Sequence, residues 1–285
     1  MSWEQLRVAC VQMRTGPDMD ANVETAGRYC ADAAARGADL VVLPEKWPAF
    51  GAPDVIAQSA QPHDGPLMRE IAGWARRFGI AIVAGSVSER VPGSDRVRNA
   101  SVALDREGRL VASYGKIHLF DVDVEGHRVR ESDSDMPGDE LVLCELCGVP
   151  VALTICYDVR FPELFATYAA AGAELYTVPA AFLERTGRDH WEVLLRARAI
   201  ETQAFVAAAA QWGELPGGYR AYGRSLICDP WGTVLAQAAD GEGIIVADLQ
   251  RALLQRTRTE LPSLRHRRPE IYSQPGRLER VLAAS

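Results

Sequence analysis

Apolar residues alternate at period two through Val149, Val151, Leu153 and Ile155, the pattern of a strand running into Cys156. Pro162 follows at a position that a first helical turn tolerates, with Glu163 at that helix's positive end. Ahead of this stretch, apolar and amphipathic runs take turns. Leu6 to Met13 predicts a strand, and Asn22 is a possible N-cap for a helix reaching about Arg36, closed by Gly37. Residues 39–44 form a short apolar strand. Pro66 opens a helix whose Leu67, Ile71, Trp74 and Phe78 fall three or four apart, with Gly79 behind it. Ile80 to Val87 predicts the next strand, and Ala100 to Leu104 and Arg109 to Tyr114 flank a hairpin turn at 105–108.

From Lys116 to Glu140 the chain turns polar and irregular, and a loop of that length inside a compact domain is functional or disordered. The scheme then repeats. The strand 149–155 leads to a helix from about Pro162 to Ala171 and a strand from Glu174 to Val178. A helix from about His190 to Gln203 carries an apolar stripe of Val193, Ala197, Ile200 and Ala204. Strands follow at 205–211, 224–229, 233–237 and 244–249. Each half makes a sheet with helices on one face only, yet strands such as Ile80 to Ala84 are apolar on both sides. Packing the two bare faces together gives a four-layer α-β-β-α sandwich, so a single domain over 1–285 is expected.

Composition narrows the chemistry. The chain has 285 residues, 48% of them hydrophobic, and a net charge of −7. That charge argues against nucleic acid or an anionic membrane as partner. No run of 18 apolar residues occurs, the start at Met1 lacks a signal-peptide pattern, and six cysteines in so long a chain make no disulfide scaffold. A reducing cytoplasm is the expected location.

A cysteine between a strand end and a helix start meets unpaired N–H groups. That setting is expected to lower the thiol pKa from about 8.5 and to offer donors to an oxyanion. The alternative for Cys156 is a small buried apolar filler. Glu45 closes the second strand at its C-terminal end, where α/β sheets place ligands, or else it is a solvated loop acid. Lys116 closes the hairpin among apolar neighbours, or else it is a surface charge on a buried stem. If those strand ends converge, an acid, a cation and a thiol share a pocket suited to thiol-based acyl transfer.

In order along the chain, Leu43-Pro44-Glu45, Lys116-Ile-His-Leu-Phe-Asp121 and Cys156-Tyr-Asp-Val-Arg-Phe-Pro-Glu163 resemble the three catalytic motifs of the nitrilase superfamily of carbon–nitrogen hydrolases. Trp191 to Gln203, Asp229 to Thr233 and His266 to Pro269 extend the resemblance over nearly the whole chain. It implies the same sandwich, dimerisation with a C-terminal tail (about 259–285) at the interface, and no cofactor or metal. It further implies Cys156 as nucleophile, Glu45 as general base, and Lys116 with the Tyr157 N–H as oxyanion donors. A supporting glutamate in the long loop best matches Glu131, with Glu125 as rival. Tyr157 after the cysteine is amidase-like, and the likeness is strongest to the omega-amidase and deaminated glutathione amidase group. Those enzymes cleave the terminal amide of small carboxylate-bearing substrates, so a fixed guanidinium is expected. Arg160 is the candidate, unless it pairs with Glu163. Phe182 and Thr186, expected in a loop after a strand, are candidates to line the acyl site. An N-carbamoyl amino-acid amidohydrolase, or a silent thiol or scaffold protein of this fold, are the alternatives. Cys144 and Cys147 have redox or zinc spacing but no second pair, and no Gly-x-Ser-x-Gly, His-Glu-x-x-His or phosphate-loop motif occurs.

Overall fold

Alternation decides the layering. In β1 (Gln5–Gln12), Leu6, Val8 and Cys10 join one buried cluster, while Ala9 and Val11, with Met13 just beyond, join another. A strand buried on both faces needs cover on both. The computed structural model describes residues 3–124 and 127–272. Glu125 and the tail beyond 272 therefore lie outside the described residues.

After β1 come α1 (Met19–Ala35), β2 (Leu40–Val42), α2 (Pro53–Ser59), α3 (Pro66–Phe78), β3 (Ala81–Val83), β4 (Val87–Arg90), β5 (Val97–Leu104) and β6 (Leu110–Gly115). A ribbon of β7 (Asp121–Val124) and β8 (His127–Arg130) opens the polar stretch. The second half runs β9 (Leu143–Leu146), β10 (Val149–Leu153), α4 (Pro162–Ala170), β11 (Leu175–Thr177), α5 (Glu184–Thr202) and β12 (Phe205–Ala208). It continues with β13 (Trp212–Leu215), β14 (Tyr219–Tyr222), β15 (Leu226–Cys228), β16 (Val234–Gln237), β17 (Gly243–Gln250), α6 (Arg251–Glu260) and α7 (Pro269–Tyr272).

One sheet has the order β17-β1-β2-β3-β5-β4 with β6 on β5, the other β16-β15-β12-β11-β10-β9. Val8, Val42 and Val83 of the first meet Val151, Leu175 and Phe205 of the second in one cluster, the sheet-on-sheet layer. Val41, Leu43 and Ile82 face the other way, onto Cys30 of α1 and Ile71 and Trp74 of α3. Phe165 of α4 and Trp191 and Leu195 of α5 cover the outer face of the second sheet. The protein is an α-β-β-α sandwich.

Four local expectations change. β17 belongs to the first sheet, pairing antiparallel with β1 from Gln5↔Gln250 to Gln12↔Gly243, because a buried β1 needs hydrogen-bond partners on both edges. Asp18, not Asn22, caps α1, its carboxylate accepting from Ala21 N. Asn22 lies inside the helix and donates to the Gly16 and Pro48 carbonyls. α5 begins at Glu184, so Thr186 sits in its first turn and not in a loop. That helix buries Trp191, Leu195, Arg198 and Ala199, leaving Val193 and Ile200 66% and 48% exposed. The larger Trp191 ring, anchored by its N–H to the Arg224 carbonyl, sets the inward face against the Val193 stripe.

Candidate active site

The parallel strands deliver three chemical groups to one end of the sandwich. Past β2 the chain turns at Glu45, which is 4% exposed. Gly85 permits that turn: it has φ +56°, and a Cβ there would stand 2.0 Å from the Pro44 carbonyl oxygen. Lys116 follows β6 with its side chain buried, and Cys156 follows β10. The Cys156 N–H donates to the Pro179 carbonyl at 2.8 Å, tying the exit of β10 to the exit of β11.

The Lys116 Nζ donates to Glu45 Oε1 at 2.9 Å and to Glu131 Oε2 at 2.7 Å. Glu45 also accepts from Asn99 Nδ2 at 3.0 Å and from the Ala181 N–H at 2.8 Å. The Cys156 thiol lies within electrostatic range of Glu45 and Lys116. Glu131 comes from a single 3-10 turn (Glu131–Asp133) after β8 and accepts the Phe120 N–H at 2.8 Å. Glu45, Lys116, Glu131 and Cys156 thus share a cavity of about 270 Å³ with Tyr157, Arg160, Phe182 and Thr186 on its walls.

Cys156 has φ +46° and opens a 3-10 turn, Cys156–Arg160. Such a backbone is strained for a residue with a Cβ and persists where its surroundings over-determine it. Asp158 does so here. Its Oδ2 accepts the Ile155 N–H and the Tyr114 hydroxyl, each at 2.8 Å. Its Oδ1 accepts the His118 N–H at 3.2 Å and lies 2.8 Å from His118 Nδ1. His118 is therefore a structural hydrogen-bonder, its ring stacked at 3.6 Å on Phe161. The Tyr157 N–H lies in the first turn, where N–H groups have no intrahelical acceptor.

The electrostatics correct one expectation. The Cys156 thiol is pushed well above its usual range, first by burial and then by Glu45, against the opposing pull of Lys116. The strand-to-helix setting does not make it a standing thiolate. Burial alone would loosen the Lys116 proton, but Glu131 and Glu45 outweigh it and the ammonium holds its charge. Glu131 is likewise buried, yet Lys116 and Lys46 hold it well below the ordinary carboxylate range.

Arg160 makes no ion pair with Glu163. Its guanidinium lies 4.9 Å from the centre of the Phe182 ring and 5.9 Å from that of Tyr157, with Nη1 3.3 Å from His190 Nδ1. Sequence reasoning missed four residues here: Lys46 and Tyr219, which line the cavity, Asn99, which donates to Glu45, and Asp135, which pairs with Lys46. Lys46 sits beside Glu45 in the chain and was legible in principle. Asn99 and Asp135 lie in unremarkable surroundings, and Tyr219 rides on the unforeseen hairpin β13–β14.

An α-β-β-α sandwich with a carboxylate, an ammonium and a thiol in one buried pocket defines a class, the thiol-dependent hydrolases of carbon–nitrogen bonds. The carbon–nitrogen hydrolase family profile matches residues 7–259. The chain belongs to that family, within the nitrilase superfamily, whose members hydrolyse non-peptide carbon–nitrogen bonds through a cysteine thioester. A deaminated glutathione amidase of Mus musculus is 41% identical over 289 residues, spanning 96% of this chain and 87% of the relative. An omega-amidase of Xenopus tropicalis is 35% identical over 270 residues, spanning 94% and 97%. The solved structure of the C. elegans NitFhit protein superposes with a TM-score of 0.89 at 33% identity, covering 95% of this chain and 67% of that one.

Proposed function

We propose that this protein hydrolyses the terminal amide of a small carboxylate-bearing substrate, deaminated glutathione or a 2-oxoglutaramate-like compound, to the acid and ammonia. The observation that carries the reading is the single pocket in which Lys116 bridges Glu45 and Glu131 beside the Cys156 thiol. Glu45 takes the thiol proton as sulfur attacks the amide carbon. Negative charge passes to the carbonyl oxygen, where the third Lys116 N–H and the Tyr157 N–H donate to it. Each such donor contributes about 10²–10³ in rate. Glu45 then protonates the departing nitrogen, leaving a thioester on Cys156. A water, deprotonated by Glu45, attacks the thioester, and the thiol is restored as the acid leaves. Glu131 keeps Lys116 charged and aimed. Arg160, held over Phe182 with His190 beside its Nη1, binds the substrate carboxylate, with Phe182 and Thr186 along the acyl chain.

The test is an ammonia-release screen of 2-oxoglutaramate, deaminated glutathione and N-carbamoyl amino acids, with carbon dioxide measured alongside. Ammonia without carbon dioxide from the first two supports the amidase. Ammonia with carbon dioxide from the third points to a carbamoyl amidohydrolase, and no ammonia from any amide to a silent scaffold.

The same reading includes a cytoplasmic location, because a reducing compartment keeps Cys156 a free thiol. Among the described residues no helix is long and apolar enough to cross a membrane. It also includes one domain over 1–285 and a homodimer, with the tail from about 259 at the interface. Exposed Val193, Ile200 and Trp231, together with exposed Leu261 and Tyr272 of the tail, support that assembly. Val193→Glu is expected to shift the mass in light scattering from dimer to monomer, and an unchanged mass would remove α5 from the interface.

A further inference from the structure

Beneath the catalytic cluster lies a second lysine that the mechanism above does not use. The side chain of Lys46 is only 12% exposed, and its Nζ lies 3.2 Å from Glu131 Oε1 and 3.0 Å from Asp135 Oδ1. Asp135 is wholly buried, with its Oδ2 accepting the Ser134 hydroxyl at 2.7 Å and its N–H donating to the Glu131 carbonyl. Lys46 itself holds φ +48°, a conformation that residues with a Cβ avoid, and its N–H is pinned to Ser86 Oγ at 3.0 Å. Backbone of this kind survives where neighbours fix it, and it lies one residue from Glu45.

The charge count gives the strain a purpose. Glu45, Glu131 and Asp135 face Lys46 and Lys116, so with a neutral thiol the buried cluster carries a single net negative charge. When the proton moves from sulfur to Glu45 the total is unchanged, and the single negative charge passes from the carboxylate to sulfur. Without Lys46 the same volume would hold two negative charges, and a buried cluster answers excess charge by keeping a proton. The groups that face Glu45 are Lys116, Asn99, the Ala181 N–H and the Cys156 thiol, with Tyr219, Glu131 and Lys46 in electrostatic range.

We propose that Lys46 is a positioning residue for the hydrolysis: with Asp135 as counter-ion, it fixes the second oxygen of Glu131 and sets the net charge around the Glu45–Cys156 proton pair, so that Glu45 is free to take the thiol proton. The inference rests on Glu45 being the base. It adds that Lys46 and Asp135 act by charge, in opposite senses. Lys116 then spends two N–H groups on carboxylates already held in place and presents the third to the substrate oxygen.

The experiment is the pH profile of kcat/KM for ammonia release by the full-length enzyme. Its acid limb belongs to the coupled cluster and not to one residue. Lys46→Met removes a cation and moves that limb to higher pH, by roughly one to three pH units for a charge about 4–12 Å away at an effective dielectric of about 20. Asp135→Asn removes an anion and moves it to lower pH. Lys46→Met/Asp135→Asn removes a neutral pair and returns the limb close to its original position. A purely structural role would lower activity in every variant without shifting the limb in opposite directions. If Lys46→Met fails to fold, the downward shift in Asp135→Asn and the reversal in the double variant still decide. Limbs that stay in place, or that move in the same direction, overturn the role of Lys46. Glu45→Gln separates the two failures. Turnover retained in it overturns the base assignment and this inference together, whereas a dead Glu45→Gln with unmoved limbs overturns Lys46 alone.

Discussion

Tyr114→Phe removes one oxygen from a fully buried ring and leaves the ring's volume in place. The lost hydroxyl donates at 2.8 Å to Asp158 Oδ2, the oxygen that also accepts the Ile155 N–H just ahead of Cys156. Burial, and then Asp158, push the Tyr114 phenol far above its usual range, so it is a donor at every working pH. A hydrogen bond to a charged group contributes about 1.5–3 kcal/mol, and Phe opens no cavity beyond a single atom. For a chain of this length about 2 °C of melting temperature follows each kcal/mol, so Tyr114→Phe is expected to melt about 3–6 °C lower. Asp158→Asn should be worse. An amide keeps one acceptor oxygen and turns an NH₂ toward the Ile155 N–H or the His118 N–H, leaving that donor unpaired at about 1–3 kcal/mol and depriving every remaining bond of its charge. It also releases the turn that aims Cys156, where a displacement of about 1 Å costs about 10² in rate. Calorimetry gives the melting temperatures and ammonia release the rates. The reasoning fails if Tyr114→Phe melts within about 1 °C of the wild type, or if Asp158→Asn melts no lower than Tyr114→Phe.

Three further predictions concern other parts of the molecule. Gly85→Ala puts a Cβ 2.0 Å from the Pro44 carbonyl at a φ of +56°, so the turn that carries Glu45 must move. The variant is expected to lose most of its activity and several °C of melting temperature, and wild-type values in both would refute the packing argument. Arg160→Met is expected to raise KM at least about tenfold for a carboxylate-bearing amide, with Arg160→Lys between it and the wild type; an unchanged KM would free Arg160 of the substrate. Burial pushes the thiols of Cys30 and Cys228 up to about 12 from 9.0. Their folded-state values are raised, so the stability they carry is complete below pH about 9. Above it the unfolded chain ionises first, stability falls by about 1.4 kcal/mol per pH unit per thiol, and the contribution is gone above pH about 12. Cys30→Ala should therefore show a shallower alkaline fall in denaturant-determined stability, and an equally steep one would contradict the burial argument.

Much of this was readable in the chain, and the failures have physical causes. The strand cores and the four layers followed from apolar runs too symmetric to be half-exposed, as in Ile80 to Ala84. Glu45, Lys116 and Cys156 were visible because each ends a strand, and sheets of this type gather strand ends at one edge. α5 was misread because Val193 and Ile200 look like core when the pattern is weighed by hydropathy alone, whereas Trp191 and Leu195 carry the inward face. The edge partner of β1 is more than two hundred residues away, beyond the reach of any local pattern. The raised Cys156 thiol was misjudged because the donors at a strand-to-helix turn are local, while the burial and the Glu45 carboxylate that oppose them come from the tertiary fold. Lys46 and Asp135 were missed for the same reason: their partner Glu131 lies in an irregular turn that no periodicity announces.

The central claim is that one sulfur atom performs the chemistry, and ammonia release by Cys156→Ala tests it most directly. The alanine removes a 7%-exposed side chain without adding bulk, so the variant is expected to fold and, by analogy with other enzymes that lose their nucleophile, to turn over at least about 10⁴-fold more slowly on the best amide. A folded Cys156→Ala that releases ammonia within about tenfold of the wild-type rate would contradict the account.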